Sequence, residues 1–132
     1  MSSNRGGNPE KFTDAEKADQ ELIILAARAA YIELTPYPFS FHGMHLHACR
    51  STRNNCNNSI MFGALYDNGD ALELAIELKM IVNIDEEVVT VDVDNANGEI
   101  TFSELRSDHS GNLAAATRRA IVRAAAEIGR RP

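Results

Sequence analysis

Two hydrophobic periods divide the chain. Between Asp14 and Tyr31 the apolar positions Ala15, Ala18, Leu22, Leu25, Ala26 and Ala29 recur at helical spacing. Thr13 and Glu16 just ahead of them form a T-x-x-E capping box, in which each side chain satisfies the other residue's free amide. Pro36 and Pro38 bar any continuation, so this pattern predicts a helix over about 14–31. From Ala71 to Val82 the period falls to two. Leu72, Leu74, Ile76, Leu78, Met80 and Val82 take the even positions, and Glu73, Glu77 and Lys79 are among the odd ones. That alternation predicts a half-buried strand with one wet face.

Four more segments read as strands: Phe39 to Cys49, Ser59 to Tyr66, Val88 to Asp94 and Glu99 to Ser103. Asn68-Gly69 and Asn97-Gly98 lie between such runs and suit the positive φ angles of a tight hairpin turn. Five strands joined largely by short turns predict an antiparallel sheet with one covered face. A last helix is expected from about Gly111 to Ile128, capped by Ser110 or Asn112 and ended by Gly129 and Pro132. Its apolar stripe is Leu113, Thr117, Ala120, Ile121, Ala124 and Ile128. Both helices are expected to cover the same sheet face, which gives an α+β fold of order α-β5-α.

Composition adds limits. The 132 residues fit one domain with one core, here taken as 11–132 behind a polar, disordered leader at 1–10. Nineteen acidic against 13 basic side chains give a net charge of −6, which disfavours nonspecific binding to DNA or to an anionic membrane. The apolar runs fall well short of the roughly 20 residues of a membrane-spanning helix. The two cysteines, Cys49 and Cys56, with no secretory signal, fit a reduced cytoplasmic protein.

Against that acidic background the last helix is basic. It carries Arg118, Arg119 and Arg123, with Arg130 and Arg131 behind them and Glu127 as its one acid. Arg119 and Arg123 stand four apart and share a face, and two guanidinium forks at that spacing suit a phosphate or pyrophosphate. Arginines near a helix C-terminus also complement the macrodipole, and a solvated outer face is the simpler account. The nine-residue loop Arg50 to Asn58 holds Arg50, Arg53 and four asparagines, among them Asn55. Such residues suit base edges and ribose hydroxyls, and they also form ordinary turns.

Three weaker patterns remain. His45, His47 and Cys49 would share one face of a strand that also includes His42, a set able to hold zinc if another element adds a ligand, or simply part-buried polar residues. The run from Val93 to Glu104 imitates the second part of a calcium loop, but Val93 stands where an acidic ligand is needed, and a hairpin turn explains Asn97-Gly98. No P-loop, G-x-G-x-x-G or nucleophile signature is present, and His109 is a lone loop histidine.

The order of elements and the segment ATRRAIVRAAA, with Arg119 and Arg123 in the place of paired helix arginines, resemble the phage-encoded Thoeris anti-defence sponges. The resemblance spans about Thr13 to Gly129 and has no counterpart for the histidine strand. It implies a non-catalytic protein in a bacterial host's cytoplasm that sequesters cyclic ADP-ribose-like or cyclic oligonucleotide signals, without a cofactor. Arg119 and Arg123 would bind the pyrophosphate, Arg118 would also touch the ligand, Arg53 and Asn55 would meet ribose or base, and Phe102 or Tyr66 would stack on adenine. A homo-oligomer with sites near subunit contacts is expected. Two other classes stay open: a protein-interaction or inhibitor module, and a small zinc enzyme using His45, His47 and Cys49.

Overall fold

The computed structural model describes residues 12–42, 45–50, 61–95 and 98–131, with the backbone alone described at 35–38, 40–42, 45–50, 61 and 95. Helix α1 (Asp14–Ala29) opens on the expected capping box: Glu16 N–H donates to Thr13 Oγ1 at 3.1 Å, and Thr13 N–H to Glu16 Oε1 at 2.9 Å. Tyr31 follows in the left-handed region, at φ 58°, and turns the chain away. The helix buries Ile23, Leu25, Ala26 and Ala27, whereas Ala15 and Ala18 from the expected stripe are exposed.

Among the described residues two antiparallel three-stranded sheets follow, in place of the one five-stranded sheet expected. The first joins β1 (Leu34–His42), β2 (His45–Arg50) and β3 (Met61–Phe62) in that order. The segment from Phe39 to Cys49, read as one strand, is thus a hairpin, with His42 opposite His45 and Ser40 opposite His47. The β1–β2 register shifts between Leu34 and Phe39, where Pro36 and Pro38 have no N–H to give the ladder.

The largest departure lies between the sheets. Residues 71–82, expected as a strand, form helix α2 (Asn68–Glu77) followed by the short strand β4 (Ile81–Ile84). The segment carries both periods: Ala71, Leu74, Ala75 and Leu78 stand at i, i+3, i+4 and i+7, and the first three are buried. Local chemistry decides for the helix. Alanine, leucine and glutamate are good helix formers, and the Asp67 side chain accepts from Gly69 N–H at 3.1 Å as N-cap. Asn68-Gly69 therefore begins a helix instead of turning a hairpin. Lys79, at φ 55°, ends it.

The second sheet has the order β4-β5-β6, with β5 (Val88–Asn95) and β6 (Gly98–Leu105) paired from Val88–Leu105 to Asn95–Gly98. This is the hairpin expected around Asn97-Gly98, and Gly98 takes φ 114°. Val89, Val91, Val93 and Ile100 face the core. A 3₁₀ turn (Arg106–His109) then leads to helix α3 (Leu113–Arg130), whose first turn is capped by Asn112 Oδ1 accepting from Ala115 N–H at 3.0 Å.

Helix α3 occupies the centre. It packs on β5 and β6, on α1 and on α2, so α1 lies chiefly against α3 and not directly on the sheet as expected. Ala116, Ala120, Ile121, Val122, Ala124, Ala125 and Ala126 are all buried, more than one stripe would provide. Small side chains allow neighbours on several sides of one helix. Gly129, expected as the stop signal, is a buried helical residue instead. A β-carbon there would lie 1.9 Å from the Leu25 carbonyl oxygen, so the α1–α3 contact requires glycine. Among the described residues, no helix is long and apolar enough to cross a membrane.

Candidate functional site

The arginines of α3 leave it in different directions. Arg119 reaches α1, where one Nη donates to Asp19 Oδ1 at 2.8 Å. Tyr66 sits in the same neighbourhood. Burial and the Asp19 carboxylate push its phenol above the ordinary value, while Arg119 pulls it down.

Arg123 reaches β6. Its guanidinium lies 4.6 Å from the centre of the Phe102 ring and donates to Glu104 Oε2. The other Glu104 oxygen lies 2.8 Å from His109 Nε2 on the 3₁₀ turn. Glu104 is only 11% exposed. Burial would raise its pKa, but the hydrogen bonds from His109 and Arg123 outweigh that and hold the carboxyl below its ordinary value. This three-residue cluster ties β6 and the turn to α3. Arg119 and Arg123, expected as a phosphate-gripping pair, are each engaged by a carboxylate on a different element. The Phe102 face beneath the Arg123 guanidinium is likewise occupied by that cation.

Arg118 differs. Its Nε donates to the Leu65 carbonyl oxygen at 2.9 Å and Nη1 to Asn68 Oδ1 at 2.7 Å, both neutral acceptors. Among the described residues no carboxylate pairs with it, and Nη2 keeps its donors. Arg118 stands on the wall of a cleft of about 410 Å³ between α2, α3 and β4. Asn68 and Thr117 share its polar part, while Leu72, Ala75, Val82, Ile84 and Ile121 are among its apolar walls. The apolar surface extends beyond the cleft: Leu72, Ile76, Ile81 and Ile84 are each more than half exposed. Strand β4 is an edge strand with no charge in Ile81-Val82-Asn83-Ile84.

Of the residues singled out from sequence, the structure thus brings Arg123 and Phe102 together, sends Arg118 and Arg119 to different partners, and gives Arg118 alone a cleft. Arg53 and Asn55 lie outside the described residues, as do the side chains of His42, His45, His47 and Cys49. Among the described residues no cluster of histidine, cysteine or acidic side chains is arranged to hold a metal ion. In the run that imitates a calcium loop, Val93 is in the core and Glu104 is committed to Arg123 and His109.

Sequence reasoning missed Asn68, Leu72 and the β4 wall. A helical reading of 71–78 would have found the signal, because it leaves Leu72 and Ile76 as an apolar outer face that no helix of a closed core needs. Compared with known proteins, the chain matches no family model, no curated protein and no solved structure.

Proposed function

We propose that this protein is a non-catalytic binder that sequesters a small anionic molecule, taken up in the α2–α3–β4 cleft with Arg118 as the anion contact. The observation that carries this reading is the Arg118 guanidinium, oriented by two neutral oxygens beside an apolar cleft and left with donors to spare. A cleft of about 410 Å³ is within the usual range for small-molecule sites. A guanidinium fixed by neighbours loses little freedom when it meets a carboxylate or phosphate.

The resemblance to the anti-defence sponges makes a cyclic nucleotide signal in a bacterial host the first ligand class to test. In that case Arg118 takes over the phosphate role expected of Arg119 and Arg123. A second reading, a protein-interaction or self-association surface, is favoured by the exposed apolar residues Leu72, Ile76, Ile81 and Ile84 around an uncharged edge strand.

A thermal-shift screen against cyclic ADP-ribose isomers, cyclic di- and trinucleotides, NAD and simple carboxylates tests the binder. A ligand at 100 times its Kd stabilises by about 2.7 kcal/mol. The expected result is a shift that Arg118→Met removes, with the ligand recovered chemically unchanged. A shift that survives Arg118→Met removes this site from consideration, and a ligand recovered altered removes the non-catalytic reading.

A further inference from the structure

Resting on the cleft as the binding site, we infer that its ligand is an amphiphilic monoanion: a carboxylate on an unbranched alkyl chain, head on Arg118 and chain along the trough. Charge comes first. Among the described residues the cleft offers one cation, because Arg119 and Arg123 on the same helix are matched by Asp19 and Glu104. Acids also flank the start of α2. Asp67 caps Gly69 N–H, and Asp70 Oδ2 accepts from Gly63 N–H at 2.8 Å. Both carboxylates are held in place by those bonds on the turn that also carries Asn68 of the cleft, so the start of α2 adds no cation there. One planar carboxylate fits one guanidinium fork; a pyrophosphate does not find its second cation.

The walls point the same way. Among the described residues no aromatic ring lines the cleft, and Asn68, Thr117 and Arg118 are its polar side chains. Thr117 Oγ1 already donates to the Leu113 carbonyl oxygen at 2.8 Å. A nucleobase would find little to stack on and few partners for its edges. An alkyl chain needs neither, only aliphatic contact with residues such as Leu72, Val82, Ile84 and Ile121.

Shape agrees. The lining runs from Asn68 to Ala75 on α2 and from Ala114 to Ile121 on α3, about 10 Å along each helix axis. That is a trough, and the exposed side of Leu72 and Ile84 at its rim gives a longer chain further apolar surface to cover.

The test is titration calorimetry on the full chain with hexanoate, octanoate, decanoate and dodecanoate below their micelle thresholds, with decanol and cyclic ADP-ribose alongside. Affinity is expected to rise about fourfold per methylene until the trough is filled. Decanol should bind at least tenfold more weakly than decanoate. Arg118→Met should bring decanoate down to the decanol level, and Arg118→Lys, which keeps the charge but not the fork, should fall between. A flat response to chain length, or equal binding of decanol and decanoate, overturns the monoanion. If the alkanoates fail while cyclic ADP-ribose binds and Arg118→Met abolishes that binding, the anion-binding function stands and only the ligand class falls. If no probe binds the folded protein, the monoanion falls, and the anion-binding function falls with it once the wider thermal-shift screen is silent too.

Discussion

The two flanks of α3 meet their neighbouring helices in opposite ways. Toward α1 the seam is closed until backbone meets backbone: Gly129 lies where any β-carbon would strike the Leu25 carbonyl, and Ile23, Ala26 and Ala27 are buried. Toward α2 the seam is spread. Arg118 spans it by bonding to Leu65 and Asn68, and a cleft of about 410 Å³ remains. Both flanks belong to one helix rich in small residues, so helix composition alone does not explain the difference. A side chain too long to be buried is bridged across one seam, and a residue with no side chain sits in the other. The open seam is therefore a built feature of the fold and does not reflect a shortage of apolar residues.

The largest effect should come from the closed side. Gly129→Ala forces α1 and α3 apart and is expected to destabilise by about 3 kcal/mol or more. In a domain of this size that lowers Tm by roughly 10 °C, which differential scanning calorimetry reads directly. A variant that melts like the wild type would mean that the seam is softer than its geometry.

A smaller effect is expected where α3 meets the sheet. Glu104→Gln removes the carboxylate shared by Arg123 and His109, and should cost about 1 kcal/mol, since Arg123 stays partly in water. Because the folded pKa of Glu104 lies below the unfolded one, its contribution is complete above the ordinary glutamate pKa. It is lost as pH falls through the lower folded value. The gap in Tm between wild type and Glu104→Gln should thus be widest near neutral pH and close upon acidification below about pH 4. A gap that widens with acid would reverse the sign of the argument.

The smallest effect on stability should come from the open side. Ala114→Leu adds three carbons where the cleft has room, and should change stability by less than about 0.5 kcal/mol while blocking ligand uptake. One methyl at Gly129 should therefore do more harm to folding than three carbons at Ala114. Chemical denaturation of the two variants side by side would show it.

Some of this was legible in the sequence. The capping box at Thr13, the strand of Val89, Val91 and Val93, its pairing with the strand after Gly98 and the last helix each depend largely on neighbours close in sequence, and each is found close to its expected place. Residues 71–82 misled because Leu72 and Ile76, which stay outside, interleave with Leu74 and Leu78, which turn inward, so an exposed apolar pair completed a false alternation. The cleft wall hid behind the same residues that gave the wrong element. Arginine roles were obscured for another reason. Asp19 is 100 residues from Arg119 along the chain, and Asn68 is 50 from Arg118. Residue type named candidates, but only tertiary pairing separated the engaged cations from the available one.

The position of α3 at the centre also sets an order of events. It is the last of the described elements to be synthesised, yet α1, α2, β5 and β6 all complete their packing on it. Until the ribosome has delivered residues 113–130, the earlier elements can form local turns and the β5–β6 hairpin but have no common surface to close upon. Its contacts with α1 then join stretches about a hundred residues apart, a slow kind of closure. Nascent chains halted before α3 should be sensitive to protease throughout, and protection should arrive in one step, once this helix is free to fold.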